Sequence, residues 1–403
     1  MQTMSSNEPL HNPEERDTWS LSSWRKYPAK QQPQWPDQAD LEKSLRELRE
    51  YSSIVVPEDV ERLNMQLDEV ACGNRFLLHG GDCVETFADA TYEIVTKKLD
   101  LLVKLKRILE ENLNIKCTTI GRIAGQYAKP RSNQIDEDGL PVFRGEMING
   151  FQAESRTPDP KRLLQAYKYS SETLDHCKKY FSKESNKVAS NEFFTSHEGL
   201  LLDYEEAGTR SINGSFYNLT SHYIWVGDRT RQVDHAHLEY VRGLKNPIGI
   251  KVGPTMLSDE LIKVIKRLNS HEKKITLITR YGVANVENIL PLHIDAVKSA
   301  GFTVIWSCDP CHGNTKVTQA GYKTRYSDQM LKELELTVKI HAAMGSRLGG
   351  IHLETTGENV TECNLSEDEE PTAYTTYCDP RLNYEEAIEI TNKFACLYLS
   401  EGV

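Results

Sequence analysis

The chain has 403 residues, 38% of them hydrophobic and 27% charged, which suits one large barrel domain with extensions or two ordinary domains. A formal net charge of −11 argues against nucleic acid as a partner, because phosphate backbones need a basic face; small phosphorylated ligands need only a local basic pocket. No apolar run of about 18 residues exists to span a membrane, and no basic stretch precedes an apolar one at the start, so a cytoplasmic protein is expected, with no membrane partner. The nine cysteines are odd in number and irregularly spaced, and are read as reduced thiols of which one or two are ligands.

Residues 1–38 are polar and rich in Pro, Gln and Trp; they read as an arm that packs on a neighbour or on the body, followed by a helix near 39–50. Beyond it, short β-rich runs alternate with longer amphipathic segments. The expected strands are 75–82, 117–125, 193–199, 222–228, 247–253, 275–282, 302–310 and 349–355. Between them the spacing predicts helices over 91–112, 258–271, 285–301 and 328–345. Strands that alternate with helices imply a parallel sheet, and eight repeats favour closure into an α/β (β/α)8 TIM barrel. The expected organisation is an N-terminal extension of arm and helix over 1–65 and a catalytic barrel over 66–403. The acidic SEDEE stretch at 366–370 reads as a solvated loop.

Nearly every expected strand ends on a charged or metal-capable residue. These are Cys83, Arg122, Glu198, Asp228 with Arg229, Lys251, Arg280, His312 and Glu354. In a (β/α)8 barrel the C-terminal strand ends converge on one mouth, so residues scattered along the chain would share one pocket. A structural role alone would put apolar residues at most of these places. Two chemical sets separate. Cys83, His312, Glu354 and the later Asp379 offer S, N and O donors suited to a divalent transition metal such as Mn, Fe, Co or Zn rather than Mg or Ca. Arg122, Arg229, Lys251 and Arg280 are cations that are costly at inward positions unless paired or facing an anion, which suggests a site for phosphate and carboxylate. Lys129, Arg131 and Ser132 in YAKPRSN could hold a second anion.

Other motifs are discounted. Cys308-Asp309-Pro310-Cys311-His312 spells a haem attachment pattern but follows an apolar strand, and HGGDC lacks the spacing of a phosphate-binding P-loop. Neither the hydrolase elbow nor a dinucleotide fingerprint occurs.

The blocks GGDCVETF, GRIAGQYAKPRSN, FRGEMING, TSHEGLLLDYEE, WVGDRTRQVDHAH, NPIGIKVGP, DPCHGNT, GGIHLETTGENVTEC and YCDPRLN resemble, from about Trp19 to the C-terminus, the type II 3-deoxy-D-arabino-heptulosonate 7-phosphate (DAHP) synthases. The resemblance implies a metal-dependent homo-oligomeric (β/α)8 enzyme that condenses phosphoenolpyruvate with erythrose 4-phosphate and water, in the first step of the shikimate pathway. It implies metal ligands Cys83, His312, Glu354 and Asp379. Phosphoenolpyruvate would meet Arg122, Asp228, Arg229, Lys251 and Arg280, and the aldose phosphate would meet Lys129, Arg131, Ser132 and Lys323. Lys251, Asp228 and Glu198 would be the catalytic groups, the two carboxylates placing water or moving protons.

Four departures from the family pattern stand out. Asp228 replaces a usual Glu, retracting the carboxylate by about 1.5 Å. Tyr281 and Cys311 replace residues that are commonly Met. The segment before TSHEG is short, which resembles a subgroup without the helices that serve feedback by aromatic amino acids. A related transferase acting on another aldose phosphate, and a non-catalytic regulatory barrel, are the alternative readings. Cys378, beside Asp379, would be placed to approach Cys83 and form a disulfide in metal-free protein.

Overall fold

The computed structural model describes residues 18–136, 139–183, 192–268 and 274–401. The first 17 residues of the expected arm, the end of the helix expected over 258–271, and most of the short segment before TSHEG lie outside these residues.

Two helices precede the sheet. In α1 (Gln38–Glu50) the Asp37 side chain caps the first turn by accepting from the Ala39 and Asp40 amides, and α2 (Pro57–Ala71) begins on its proline, whose missing N–H costs nothing at a helix start. Then come β1 (Arg75–Gly81), α3 (Tyr92–Leu113), β2 (Lys116–Arg122), α4 (Lys161–Phe181), β3 (Phe193–Glu198) and α5 (Leu202–Gly208). A hairpin of β4 (Thr209–Ile212) and β5 (Ser215–Asn218) follows, then β6 (Tyr223–Val226), α6 (Ala236–Arg242), β7 (Ile248–Val252), α7 (Ser258–Leu268), β8 (Ile275–Thr279), α8 (Val286–Ser299) and β9 (Ile305–Cys308). A second hairpin, β10 (Lys316–Val317) with β11 (Lys323–Thr324), precedes α9 (Ser327–Ala343), β12 (Leu348–Glu354) and α10 (Tyr384–Ser400). β1, β2, β3, β6, β7, β8, β9 and β12 close in that cyclic order, each pair parallel, so the eight expected strands form the expected barrel.

Both faces of the strands are buried, one against the helices and one inside the barrel, which hides the two-residue period in the sequence. Phe76, Leu78, Ile224, Ile248, Ile250 and Leu277 pack outward with Leu101, Leu105, Val264 and Leu334 from the helix ring. Leu77, Ile120, Phe194, Tyr223, Trp225, Ile278 and Ile305 pack inward. The inward group also takes Leu63, Leu67 and Val70 of α2, so this helix closes one end of the barrel. The expected boundary at 65/66 falls inside α2, whose period was masked by the charged residues on its outer face.

The described part of the arm packs on the body. Trp19 Nε1 donates to the Glu239 carbonyl, Trp24 Nε1 to Glu206, and Gln32 to the Leu200 carbonyl. Further along, the Gln31 side chain accepts from the Arg131 amide, which ties the arm to a loop of the barrel mouth.

Candidate active site

Stepping two residues at a time toward the C-terminal strand ends, the inward row turns from apolar to polar: Leu77 to His79, Ile120 to Arg122, Phe194 to Ser196 and Glu198, Ile278 to Arg280. The polar ends line a cavity of about 210 Å³ that holds Arg122, Lys129, Glu198, Asp228, Arg229, Lys251, Arg280, His312 and Asp379. It adjoins a wider cavity of about 710 Å³ lined by Lys129, Arg131, Ser132, Arg229, Lys323 and Asp379. The expected residues therefore share one mouth. Cys83 and Glu354 lie against it through Lys129, whose Nζ is 2.5 Å from Cys83 Sγ and 3.8 Å from Glu354 Oε1.

Arg122 is buried and stacks over the Trp225 ring, its guanidinium carbon 4.9 Å from the centroid. Its Nε donates to the Asp82 carbonyl at 2.7 Å, and its outer nitrogens reach Cys83 O at 3.1 Å, Glu354 Oε1 at 2.9 Å and His352 Nε2 at 2.7 Å. Lys251 Nζ lies 2.5 Å from Asp309 Oδ2 and 2.9 Å from His352 Nε2. Burial brings the Lys251 ammonium down to about 8, against the raising effect of Asp309 and with the help of Arg122. Asp228 is fully engaged: Oδ1 accepts from Arg231 Nε at 2.8 Å and from the Gly253 amide at 3.2 Å, and Oδ2 faces Arg280 at 3.2 Å. The shortened carboxylate thus fixes the Arg280 guanidinium. Glu198 has the opposite character. Its Oε1 is buried without a hydrogen-bond partner, close over Gly227, where a β-carbon would stand 2.0 Å from it. Burial raises its pKa, although Lys129 and Arg122 oppose the shift.

Cys83, Glu354 and Asp379 bring one donor atom each to within 4.8 Å of one another. His312 approaches from the far side, with Nε2 3.0 Å from Glu354 Oε1, while its Nδ1 lies 2.6 Å from Asp309 Oδ2. With the Nδ1 proton on Asp309, the other two atoms present lone pairs to each other, a separation that holds only with a proton or a metal cation between them. Lys129 Nζ lies 2.9 Å from Asp379 Oδ2, so an ammonium stands among the S and O donors where a divalent ion would be attracted. Burial alone would raise the carboxyl pKa values of Glu354 and Asp379, yet their neighbours, His312, Lys129 and Arg325 for the first and Lys129 for the second, hold both well below the usual range. A mixed S, N, O set with ionised carboxylates fits a divalent transition metal. Cys83 and Cys378 are free thiols that pack together with Val84.

In the wider cavity Arg229 donates to Ser132 Oγ at 3.0 Å, and Lys323 reaches Asp379 Oδ1 at 2.9 Å. Several groups escaped the sequence reading. Asp309, His79, His352 and Arg325 are all buried polar residues of this mouth, and Arg325 places a nitrogen 2.8 Å from Glu354 Oε2. Counting back in twos from Glu354 would have found His352; Arg325 arrives from the β10–β11 hairpin and carries no strand period.

Fold and mouth together define a (β/α)8-barrel protein whose strand ends set clustered cations beside a Cys–Glu–Asp donor group. The sequence matches the model of the Class-II DAHP synthetase family over residues 19–188 and 179–395. The chain belongs to that family. It is 40% identical to a phospho-2-dehydro-3-deoxyheptonate aldolase of Neurospora crassa, over 95% of each chain. It is 36% identical to the Mycolicibacterium smegmatis protein of that name, AroG, over 90% of this chain and 91% of that one. A Streptomyces coelicolor relative of the same name is 35% identical over 94% and 97%. Among solved structures, a phospho-2-dehydro-3-deoxyheptonate aldolase from Francisella tularensis superposes with a TM-score of 0.52 at 14% identity, covering 90% of this chain and 97% of that one, a likeness of fold alone.

Proposed function

We propose that the protein is a DAHP synthase, joining phosphoenolpyruvate to erythrose 4-phosphate with uptake of water and release of phosphate. The observation that carries this reading is the adjacency of the Cys83, Glu354 and Asp379 donor group, with His312 against Glu354, to a cavity walled by Arg122, Lys251, Arg229 and Arg280. Relatives at this identity and coverage bear that enzyme name.

Cys83, His312, Glu354 and Asp379 would hold the metal; a divalent ion bound there supplies Lewis acidity toward an aldehyde oxygen. Arg122 and Lys251 bind the carboxylate and phosphate of phosphoenolpyruvate from below, and Arg280, fixed by Asp228, meets the phosphate from the rim. Lys129, Arg131, Ser132 and Lys323 receive the phosphate of the aldose in the wider cavity, while Arg229, which lines both cavities, serves phosphoenolpyruvate, so the aldehyde end points inward toward the enolpyruvate. C3 of phosphoenolpyruvate then bonds to the aldehyde carbon, water adds at C2, and phosphate leaves with C–O cleavage. Glu198, a buried carboxyl with a free oxygen and a raised pKa, is placed to pass a proton to or from that water. Asp228 acts through Arg280. Mn is the proposed metal, since a thiolate with imidazole and carboxylates disfavours Mg and Ca.

The two matched stretches overlap at residues 179–188, and the few residues between Phe181 and Phe193 are the ground on which we place the chain in the short subgroup. The test is to incubate the purified protein with Mn, phosphoenolpyruvate and a panel of aldose phosphates. Phosphoenolpyruvate should be consumed with erythrose 4-phosphate, with one phosphate released per turnover. If that sugar is inert while another aldose phosphate reacts, the assignment falls.

A further inference from the structure

We infer that His79 and His352 are positioning residues: two neutral imidazoles of fixed tautomer that hold a lone pair beneath Lys251 and Arg122 and so aim both cations at the anionic substrate. The inference rests on the assignment of these cations to phosphoenolpyruvate.

The tautomers follow from the bonding partners at both ends of a buried chain. His352 Nε2 lies 2.9 Å from Lys251 Nζ and 2.7 Å from an Arg122 nitrogen, and neither cation has a lone pair to offer. Nε2 must therefore accept, which puts the His352 proton on Nδ1. That atom is 2.9 Å from His79 Nδ1, which must accept in turn, so His79 carries its proton on Nε2. His79 Nε2 is 2.9 Å from Ser196 Oγ. From the other end, Ser196 spends its single proton on the Gly121 carbonyl at 2.9 Å, so Oγ accepts from His79. Both ends of the chain thus fix the same pair of tautomers.

The arrangement does what no other acceptor would do. Two cations side by side repel, and a carboxylate between them would join them while cancelling the charge a phosphate needs. An amide would offer a second donor in a place that has no acceptor for it. A neutral imidazole shares one lone pair between them and adds no negative charge to that of Asp309 and Glu354, which already pair with Lys251 and Arg122. Lys251 gives its other bond to Asp309, which leaves one N–H, and both cations line the cavity. His79 is packed edge-on against Tyr223 and Trp225, each ring centroid 5.4 Å away, so the acceptor below cannot swing out of line.

The test compares H79F with H79N in the Mn-loaded full chain. Phe keeps the ring packing but removes the acceptor, so the His352 proton is left unpaired on Nδ1 or shifts to Nε2, where it faces two donors. KM for phosphoenolpyruvate should rise by about tenfold, the size of a buried hydrogen bond lost, with KM for the aldose phosphate and the unfolding temperature little changed. Asn sets its Oδ1 where Nδ1 stood and should restore most of the loss. Nitrogen-15 spectra of histidine-labelled wild-type protein should show one ring protonated on Nε2 and assigned to His79, and one on Nδ1 assigned to His352. H79F binding phosphoenolpyruvate as wild type does, or a His79 ring protonated on Nδ1, overturns the inference. Should H79F fail to fold, the wild-type spectra decide. Should wild type turn over no aldose phosphate, the enzyme assignment fails, while calorimetry with inorganic phosphate on wild type and H79F still judges the seat.

Discussion

Lys129 Nζ stands 2.5 Å from Cys83 Sγ and 2.9 Å from Asp379 Oδ2, so one side chain from the loop after β2 neutralises donors drawn from two other parts of the chain. Burial would lower its pKa, but Asp379, Cys83 and Glu354 hold it well above the usual value, so the ammonium stays charged there. A divalent cation at the same donors would be repelled by it and would displace it toward the cavity, where it meets substrate. K129Q removes that repulsion. Titration with Mn should show binding tightened by about tenfold, or about 1.4 kcal/mol, while KM for the aldose phosphate rises. Weaker Mn binding in K129Q would show that Lys129 supports the donor set.

Arg325 is fully buried and places a nitrogen 2.8 Å from Glu354 Oε2, with Nε donating to Thr315 Oγ1 at 2.9 Å. It lines neither of the two cavities of the mouth and meets the carboxylate from behind. R325M keeps length and apolar volume but leaves Glu354 Oε2 unsupported, with Oε1 still held by Arg122, so Mn affinity by calorimetry should fall by about 10–100-fold, the usual cost of losing such a support. Dialysis against a chelator should abolish turnover in wild type, with Mn restoring it and Ca failing to do so. An R325M protein with unchanged Mn affinity would deny Arg325 this role.

Lys251, brought down to about 8 by burial, should set the pH dependence of phosphoenolpyruvate binding. Its ammonium is the form that attracts phosphoenolpyruvate; below pH 8 that form dominates, and it is lost as pH rises through the pKa. kcat/KM for phosphoenolpyruvate should be level on the acid side of this limb and fall by about tenfold per pH unit above it. Bound substrate favours the charged form, so the limb in kcat should lie at higher pH. K251R, whatever activity it keeps, should lose the limb, because the guanidinium stays charged. A K251R profile with the same limb would assign it to another group.

The strands were legible because each is a short β-rich run between turn residues, and the mouth was legible because charge at an inward strand end is too costly to be incidental. What lay deeper was not. His79 and His352 sit one step of two residues below the end positions, in runs buried on both faces, where a histidine looks like any core residue. Arg325 and Lys129 reach the donor set from loops whose path no period encodes. The role of Asp228 depended on three partners, Arg231, Arg280 and the Gly253 amide, that only folding brings together.

The shortened connection between α4 and β3 gives an expectation for control. With so few residues between α4 (Lys161–Phe181) and β3 (Phe193–Glu198), we propose that phenylalanine, tyrosine and tryptophan exert no feedback on this chain. Rates measured with each amino acid, and with pairs of them, should stay close to the uninhibited value. Strong synergy between any two would show that another surface serves feedback.

The α2 plug separates stability from catalysis. Leu67 is wholly buried and packs with Leu77, Ile120, Phe194 and Ile305 in the apolar half of the barrel interior, on the side away from the polar mouth. L67A leaves a cavity among side chains that strands from all round the barrel hold in place, so little collapse can relieve it. Denaturant unfolding should show a loss of about 2–5 kcal/mol. The same strands carry His79, Arg122 and Ser196 one step higher, but their positions are set by the parallel ladder and by bonds within the polar half, which the substitution leaves alone. KM for both substrates and Mn affinity should therefore stay within about twofold of wild type. A large rise in KM for phosphoenolpyruvate, with stability barely altered, would mean that the plug sets the height of the polar layer and belongs to the machinery of the site.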